Sequence, residues 1–490
     1  MRKLIAAAIA AVSLSTFAAW ERIGSLQVAD VSVQGAAIAK LGTFMGNPLA
    51  AAAMAAAIAD TPTLKFFGPA RDKSPMAFVV FLDGEAFAKD TENALDTLEF
   101  AVLYPISGTK EEFLKRHEGS SETNGVVTVK GDMFDEEDSD AVTYVAFSED
   151  GRWAGASDKL DQAKLALAEI PATAKSMNGD VARLRIDEKA FKALVAVAKA
   201  AKDADPDLVA TLGDSKSLSF GIRVSDLGID IRGALKFAKD SEGDKCGLKP
   251  LGQSPFAFAG KDAVYAVAQA EDAGGAGQLT DADWAKMVEL LKKNGLDVAK
   301  FITLAKSEKG LKMTLDVKEI CKAKDDKDAF SKFDMEKFLE DAKSLKSNAR
   351  FSAKSPAYAL SFAIKGFAPQ WSVAERFAAT LPEAATKKPY SVSFCSLSSI
   401  LKAVATEAIA VVPEEQRPMM KPVLDQLGTE TKNGCACMLW RQDDAHRIFF
   451  RISADECKGF GGLFSAAMML SMQGGTEIDS SDDDDDDDED

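Results

Sequence analysis

From residue 180 to 237 the chain switches between two hydrophobic periods. Residues 181–186 have the composition of a short strand. Phe191, Leu194, Val195 and Ala198 then recur at i, i+3, i+4 and i+7, which predicts a helix over 188–202 with one apolar stripe and Asp187 as its N-cap. Next, Leu218, Phe220, Ile222 and Val224 alternate with Ser219, Gly221, Arg223 and Ser225. After a turn at Asp226-Leu227-Gly228, Ile229, Ile231 and Leu235 alternate with Asp230, Arg232 and Lys236. Period two on both arms predicts a hairpin with one buried and one wet face.

The same order returns at 390–453. A strand at 390–394 is followed by a cap at Ser396 and by a helix whose Leu397, Ile400, Leu401, Val404, Ala408 and Val411 share a side. A second hairpin has arms at 435–440 and 447–453 and turns at Asp443-Asp444. Around these two units, strands are expected at 26–33, 76–82, 99–104, 126–130, 142–147, 152–156, 263–269 and 311–320. A further hairpin is expected from 349–353 and 357–364. Helices are expected across 35–59 (broken near Asn47-Pro48), 110–117, 157–170, 282–293, 297–306, 328–345 and 372–380. The pattern predicts an α+β protein of two tandem related halves, each a largely antiparallel sheet with helices packed on one face. Its parts would be a signal peptide at 1–19, halves at 20–239 and 262–478, a Gly- and Pro-rich linker at 240–261, and a poly-acidic tail at 479–490.

The first residues change the picture most. Arg2 and Lys3 precede an apolar run at 4–12 and small residues before Trp20, the layout of a secretory signal peptide cleaved to leave Ala19 or Trp20 at the new terminus. Export to the periplasm or the medium follows as an expectation. No later stretch has the ~20 apolar residues that span a bilayer. Of the net charge of −17, the tail carries ten acids and leaves −7 for the rest, a balance that argues against nucleic acid as a partner. The tail is expected to be solubilising, with at most diffuse divalent-cation binding and no other cofactor.

Candidate chemistry is sparse. The two histidines, His117 and His446, are read as surface residues and fit no zinc motif. Ser107–Lys110 and Ser399–Lys402 match an S-x-x-K pattern, but no K-T-G follows either. Asp203, Asp205 and Asp207 imitate a calcium loop that Pro206 and Leu208 spoil, and 135–140 reads as a wet acidic loop. The six cysteines, Cys246, Cys321, Cys395, Cys435, Cys437 and Cys457, read as disulfides in an exported chain: Cys246 with Cys321, and Cys395 and Cys457 with Cys435 and Cys437. Free thiols and a metal site from Cys435, Cys437, His446 and Cys457 are the competing readings. Export and repetition without a catalytic signature point to a non-enzymatic binding or scaffolding module for an envelope partner. A carrier of lipid or another hydrophobic ligand is the alternative, and a hydrolase without a visible motif comes third.

Overall fold

The computed structural model describes residues 21–46, 48–59, 61–71, 74–89, 97–134, 141–175, 177–200, 206–274, 281–307, 310–320, 332–342, 354–411, 414, 415, 417 and 430–459. The hairpin arm expected at 349–353 lies outside them; of the helix expected at 328–345, residues 332–342 are described and Met335–Ala342 is helical. The strands are β1 Glu21–Val28, β2 Met76–Leu82, β3 Leu98–Pro105, β4 Ser121–Thr123, β5 Val126–Lys130, β6 Val142–Phe147, β7 Trp153–Ser157, β8 Ala182–Asp187, β9 Ser215–Ser225 and β10 Gly228–Phe237 in the first half. In the second half they are β11 Ala263–Gln269, β12 Ile302–Ser307, β13 Gly310–Leu315, β14 Tyr358–Ile364, β15 Ser391–Cys395, β16 Cys435–Gln442 and β17 Ala445–Ser453.

These strands pair in the order β4-β5-β6-β7-β3-β2-β1-β8-β9-β10-β17-β16-β15-β11-β14-β13-β12. Every neighbouring pair is antiparallel except β13 and β14. One sheet therefore runs through both halves, where two separate sheets were expected. The order β1-β8-β9-β10 has a counterpart in β11-β15-β16-β17, but beyond β1 and β11 the two ends diverge. The hairpins predicted around Asp226-Leu227-Gly228 and Asp443-Asp444 form. At the second turn Asp443 and Asp444 both adopt positive φ, 52° and 55°, as a two-residue hairpin loop matching strand twist requires.

The helices lie on both faces, which corrects the expectation of one. Strands such as β2, MAFVVFL, are buried on both sides, so each side needs a cover. On one face, the helix Leu160–Ala166 packs so closely over β7 that a Cβ at Gly155 would collide with the Ala163 carbonyl oxygen. In the second half the helix Val373–Thr380 covers the same face, its Val373 and Phe377 packing with Val392, Phe394, Met438 and Phe449. On the opposite face, the helix Glu188–Ala200 sets Ala190, Phe191, Leu194 and Val197 against Ile23, Val80, Leu82 and Leu218. Val195, expected in that stripe, instead turns toward Gly213 of the helix Pro206–Asp214. The helix Leu397–Val411 occupies the equivalent place in the second half, with Ile400, Ala403 and Val404 on Val264 and Ile364.

Two shorter predictions also change. Residues 297–306 form a 3-10 turn, Val298–Lys300, and then β12, because β-branched Ile302 and Thr303 pair with β13 rather than extend a helix. The strand expected at 26–33 ends at Val28, and Asp30 caps a helix, Val31–Phe44, by accepting from the Ser32 and Val33 amides.

Candidate functional site at the seam of the sheet

The two halves meet where β10 pairs with β17, from Gly228↔Ser453 to Leu235↔His446. Alternation sends Asp230 and Arg451, direct partners in this register, to the same face. The Arg451 Nε donates to Asp230 Oδ1 at 2.6 Å and its Nη2 to Oδ2 at 3.0 Å, with both residues buried. Arg451 Nη1 also donates to the Thr380 carbonyl at 3.1 Å, tying the seam to the end of the helix above it. The Phe449 ring lies 4.9 Å from the Arg232 guanidinium and 5.0 Å from that of Arg451. A buried carboxylate held in a two-point grip is a fastening rather than an acid or base free to react.

The opposite face of the seam is apolar. Three successive rungs cross β16, β17, β10 and β9: Cys435–Ile452–Ile229–Val224, Cys437–Phe450–Ile231–Ile222 and Leu439–Ile448–Gly233–Phe220. Apart from Cys435 these side chains are half-buried, or exposed in the case of Ile222 at 38%. Gly233 is required here, since a Cβ would stand 2.6 Å from both Ile448 and the Phe220 ring, which close over it.

At the far end of the seam the expected linker is fastened down. Arg441 donates to the Asp244 carboxylate and carbonyl and to the Cys246 carbonyl. His446 Nε2 contacts the Gly243 carbonyl at 2.9 Å, so that nitrogen carries the proton. Nδ1 then accepts from the Tyr390 hydroxyl at 2.9 Å. Burial, and secondarily the nearby Arg441, lowers the His446 pKa and keeps the ring neutral. His446 is thus buried rather than on the surface. His117 is half-buried too, with Nε2 2.9 Å from the Phe66 carbonyl and its pKa lowered by burial.

At the opposite end of the seam, just past Ser453, the structure assembles a cluster that no spacing announced. Arg376 reaches from the helix Val373–Thr380 past the end of β15 and donates to Ser396 Oγ at 2.5 Å, Ser399 Oγ at 2.9 Å and the Thr431 carbonyl at 3.0 Å. Glu456 accepts from the Ser398 amide at 2.9 Å, Ser398 Oγ at 2.9 Å and Ser396 Oγ at 3.0 Å, and burial raises its pKa. Arg376, Ser396, Ser399 and Glu456 are each 1% exposed or less, which leaves a substrate no access. The S-x-x-K serine, Ser399, has a guanidinium donating to it, the opposite of a base that would activate it. At the other S-x-x-K match, Ser107 Oγ donates to the Pro69 carbonyl and Lys110 pairs with Glu122. The cluster pins the start of the helix Leu397–Val411, with Ser396 accepting from the Ser399 amide as its cap.

The expected disulfides are not formed among the described residues: Cys246, Cys395, Cys435, Cys437 and Cys457 are free thiols. Cys246 donates to the Glu242 carbonyl inside the linker clamp, and its expected partner Cys321 lies outside the described residues. Cys435 and Cys437 sit two apart on one side of β16, with Cys395 opposite Cys435. Burial pushes the Cys246, Cys395 and Cys437 thiols up to about 12 and that of Cys457 to about 11, so none is a ready thiolate.

Among the described residues, no group of three or more His, Cys, Asp or Glu side chains could hold a metal. Asp203, Asp205 and residues 135–140 lie outside those residues, and Asp207 is the second residue of the helix Pro206–Asp214. Surface grooves of about 400, 260 and 580 Å³ lie among the described residues. Asp180 and Arg71 border the first, Arg451 and Asp455 the second, and Lys110 and Asp150 the third. No described helix is long and apolar enough to cross a membrane. No family model matches the chain, and neither the curated proteins nor the solved structures searched contain a match.

Proposed function

We propose that this is an exported, non-enzymatic protein whose two related halves form one module that binds or scaffolds another protein of the envelope. The observation that carries the reading is the seam, where β10 and β17 join the halves and both halves contribute to three adjoining apolar rungs. The relationship of the halves is supported by the shared order of four strands. Each half also has a helix before β8 or β15 on one face and another after it on the opposite face. Export is supported by the layout of residues 1–19. The polar clusters are closed structural fastenings, and this speaks against hydrolysis.

The reading can be tested with a photo-crosslinking side chain at Ile222, which is exposed, in the producing cell. One discrete protein adduct, lost when Val224 is changed to Asp, is the expected result. An adduct with lipid alone would favour the carrier reading, in which the same face holds a hydrophobic ligand. No adduct at 222, with adducts elsewhere on the surface, would remove the seam as the binding face.

A further inference from the structure

The helices Val31–Phe44 and Pro48–Ala59 pack on each other as a helical hairpin, the first of them against β9. The helix Val31–Phe44 ends at Met45, Gly46 turns the chain with φ of 67°, and the helix Pro48–Ala59 returns. Between residues 31 and 59 the only charged side chain is Lys40, and it is tied down, 2.8 Å from Asp226 at the β9–β10 turn. From residue 41 to 59 there is no charge at all.

The second helix, PLAAAAMAAAIA, buries Ala51, while Leu49, Ala52, Ala53, Met54 and Ala56 are exposed. Leu49 is 83% exposed, Met54 59% and Met45, at the bend, 42%. A helix on a water-facing surface ordinarily carries its polar residues outward, whereas one that is apolar all round belongs in apolar surroundings. A protein partner would cover one side and leave a polar rim, and this helix has no polar side chain on any side. Hydrocarbon suits such a helix on every free side. Twelve residues reach ~18 Å at 1.5 Å each, well short of the ~30 Å bilayer core. The hairpin can therefore enter one leaflet and return, with its helical backbone groups bonded internally.

We propose that the exposed apolar side chains of this hairpin, Met45, Leu49 and Met54, dip into the hydrocarbon of one leaflet and hold the protein on a lipid surface. This goes beyond the protein-binding reading and is independent of it. With no charge beyond Lys40, the attachment needs no anionic lipid and is insensitive to salt.

The test is flotation of the full chain with vesicles of zwitterionic phosphatidylcholine, comparing wild type with Leu49→Asp and Met54→Asp. Wild type is expected to float equally at about 0.05 M and 0.5 M salt. Each variant is expected to bind at least about tenfold more weakly, because a carboxylate must enter the leaflet. Both side chains are exposed, so the variants' unfolding transitions should overlay that of wild type without vesicles. An apolar N-terminal run still attached would contribute equally to all three chains and leave the ratio unchanged. Equal flotation of wild type and variants, or no flotation of wild type, would overturn the proposal. So would a wild type that self-associates without floating while the variants stay monomeric, since that assigns the face to a second copy.

Discussion

Asp230 and Arg451, 221 residues apart in the chain, face each other across the β10–β17 pair, their carboxylate and guanidinium joined at two points and both buried. The other polar contacts of Arg451 are the Thr380 carbonyl and, at 3.5 Å, the Glu383 carboxylate. Asp230 also accepts from Arg232 at 3.2 Å. The pair fixes the register in which the halves join, because a slip of one residue would turn one member to the apolar face.

Replacing Asp230 by Ala should therefore destabilise the protein by about 3–5 kcal/mol, since Arg451 would be left buried without its main partner. Replacing both, as Asp230→Leu with Arg451→Met, should recover most of that loss. Urea unfolding of wild type and the two variants measures this. A single variant within about 1 kcal/mol of wild type would deny the pair its role.

Two glycines give a contrast in packing. Gly155→Ala should cost about 1–3 kcal/mol, because the new methyl meets the Ala163 carbonyl and the covering helix must lift. Gly35 lies inside the helix Val31–Phe44, and a methyl added there would find nothing within 4 Å, so Gly35→Ala should stabilise by about 0.5–1 kcal/mol. Thermal or urea unfolding of the pair is the measurement.

The linker clamp carries a pH signature. His446 has a lowered pKa in the folded chain, so the unfolded chain takes up a proton first as the solution is acidified. Its contribution is complete above the unfolded value of about 6.5 and is lost as pH falls from there through the folded value. The stability difference between wild type and His446→Gln should shrink from pH 7.5 to pH 5.5. A constant difference would mean that His446 does not titrate between the two states.

The thiols provide a direct count. In native protein at neutral pH, Cys246 and Cys395 should react slowly with a thiol reagent, because burial keeps them protonated. Unfolded without reductant, the chain should yield at least the five described free thiols. Fewer would mean that oxidation joins some of them.

Both hairpins were legible because period two is a local signal, carried here by Leu218 to Val224 and by the alternation of β17. The double-sided burial of β2 was legible too, in its unbroken apolar run. The seam was not. Asp230 and Arg451 occupy polar positions of their strands, and local pattern assigns such positions to water. Only the pairing of β10 with β17 beneath the end of the helix Val373–Thr380 buries them. His446 escaped for the same reason, since its partners Gly243 and Tyr390 come from distant segments. The Arg376–Glu456 cluster joins four stretches of chain by tertiary contact alone, and its only local trace is Ser396 as a helix cap. The cysteine count suggests bonds, but Cys246, Cys435 and Cys457 are buried free thiols, and burial is not contained in the count.

The position of β17 has a consequence for how the chain is made. When β10 leaves the ribosome its outer edge has no neighbour, and the strand that will cover it is more than 200 residues behind. At ~5–20 residues per second, that edge waits roughly 10–40 s, exposing unpaired amides and carbonyls that can recruit any passing strand. A holding factor, or a delay in folding until synthesis is complete, would matter most in this interval. An interior strand of the finished sheet is, during synthesis, its most vulnerable border.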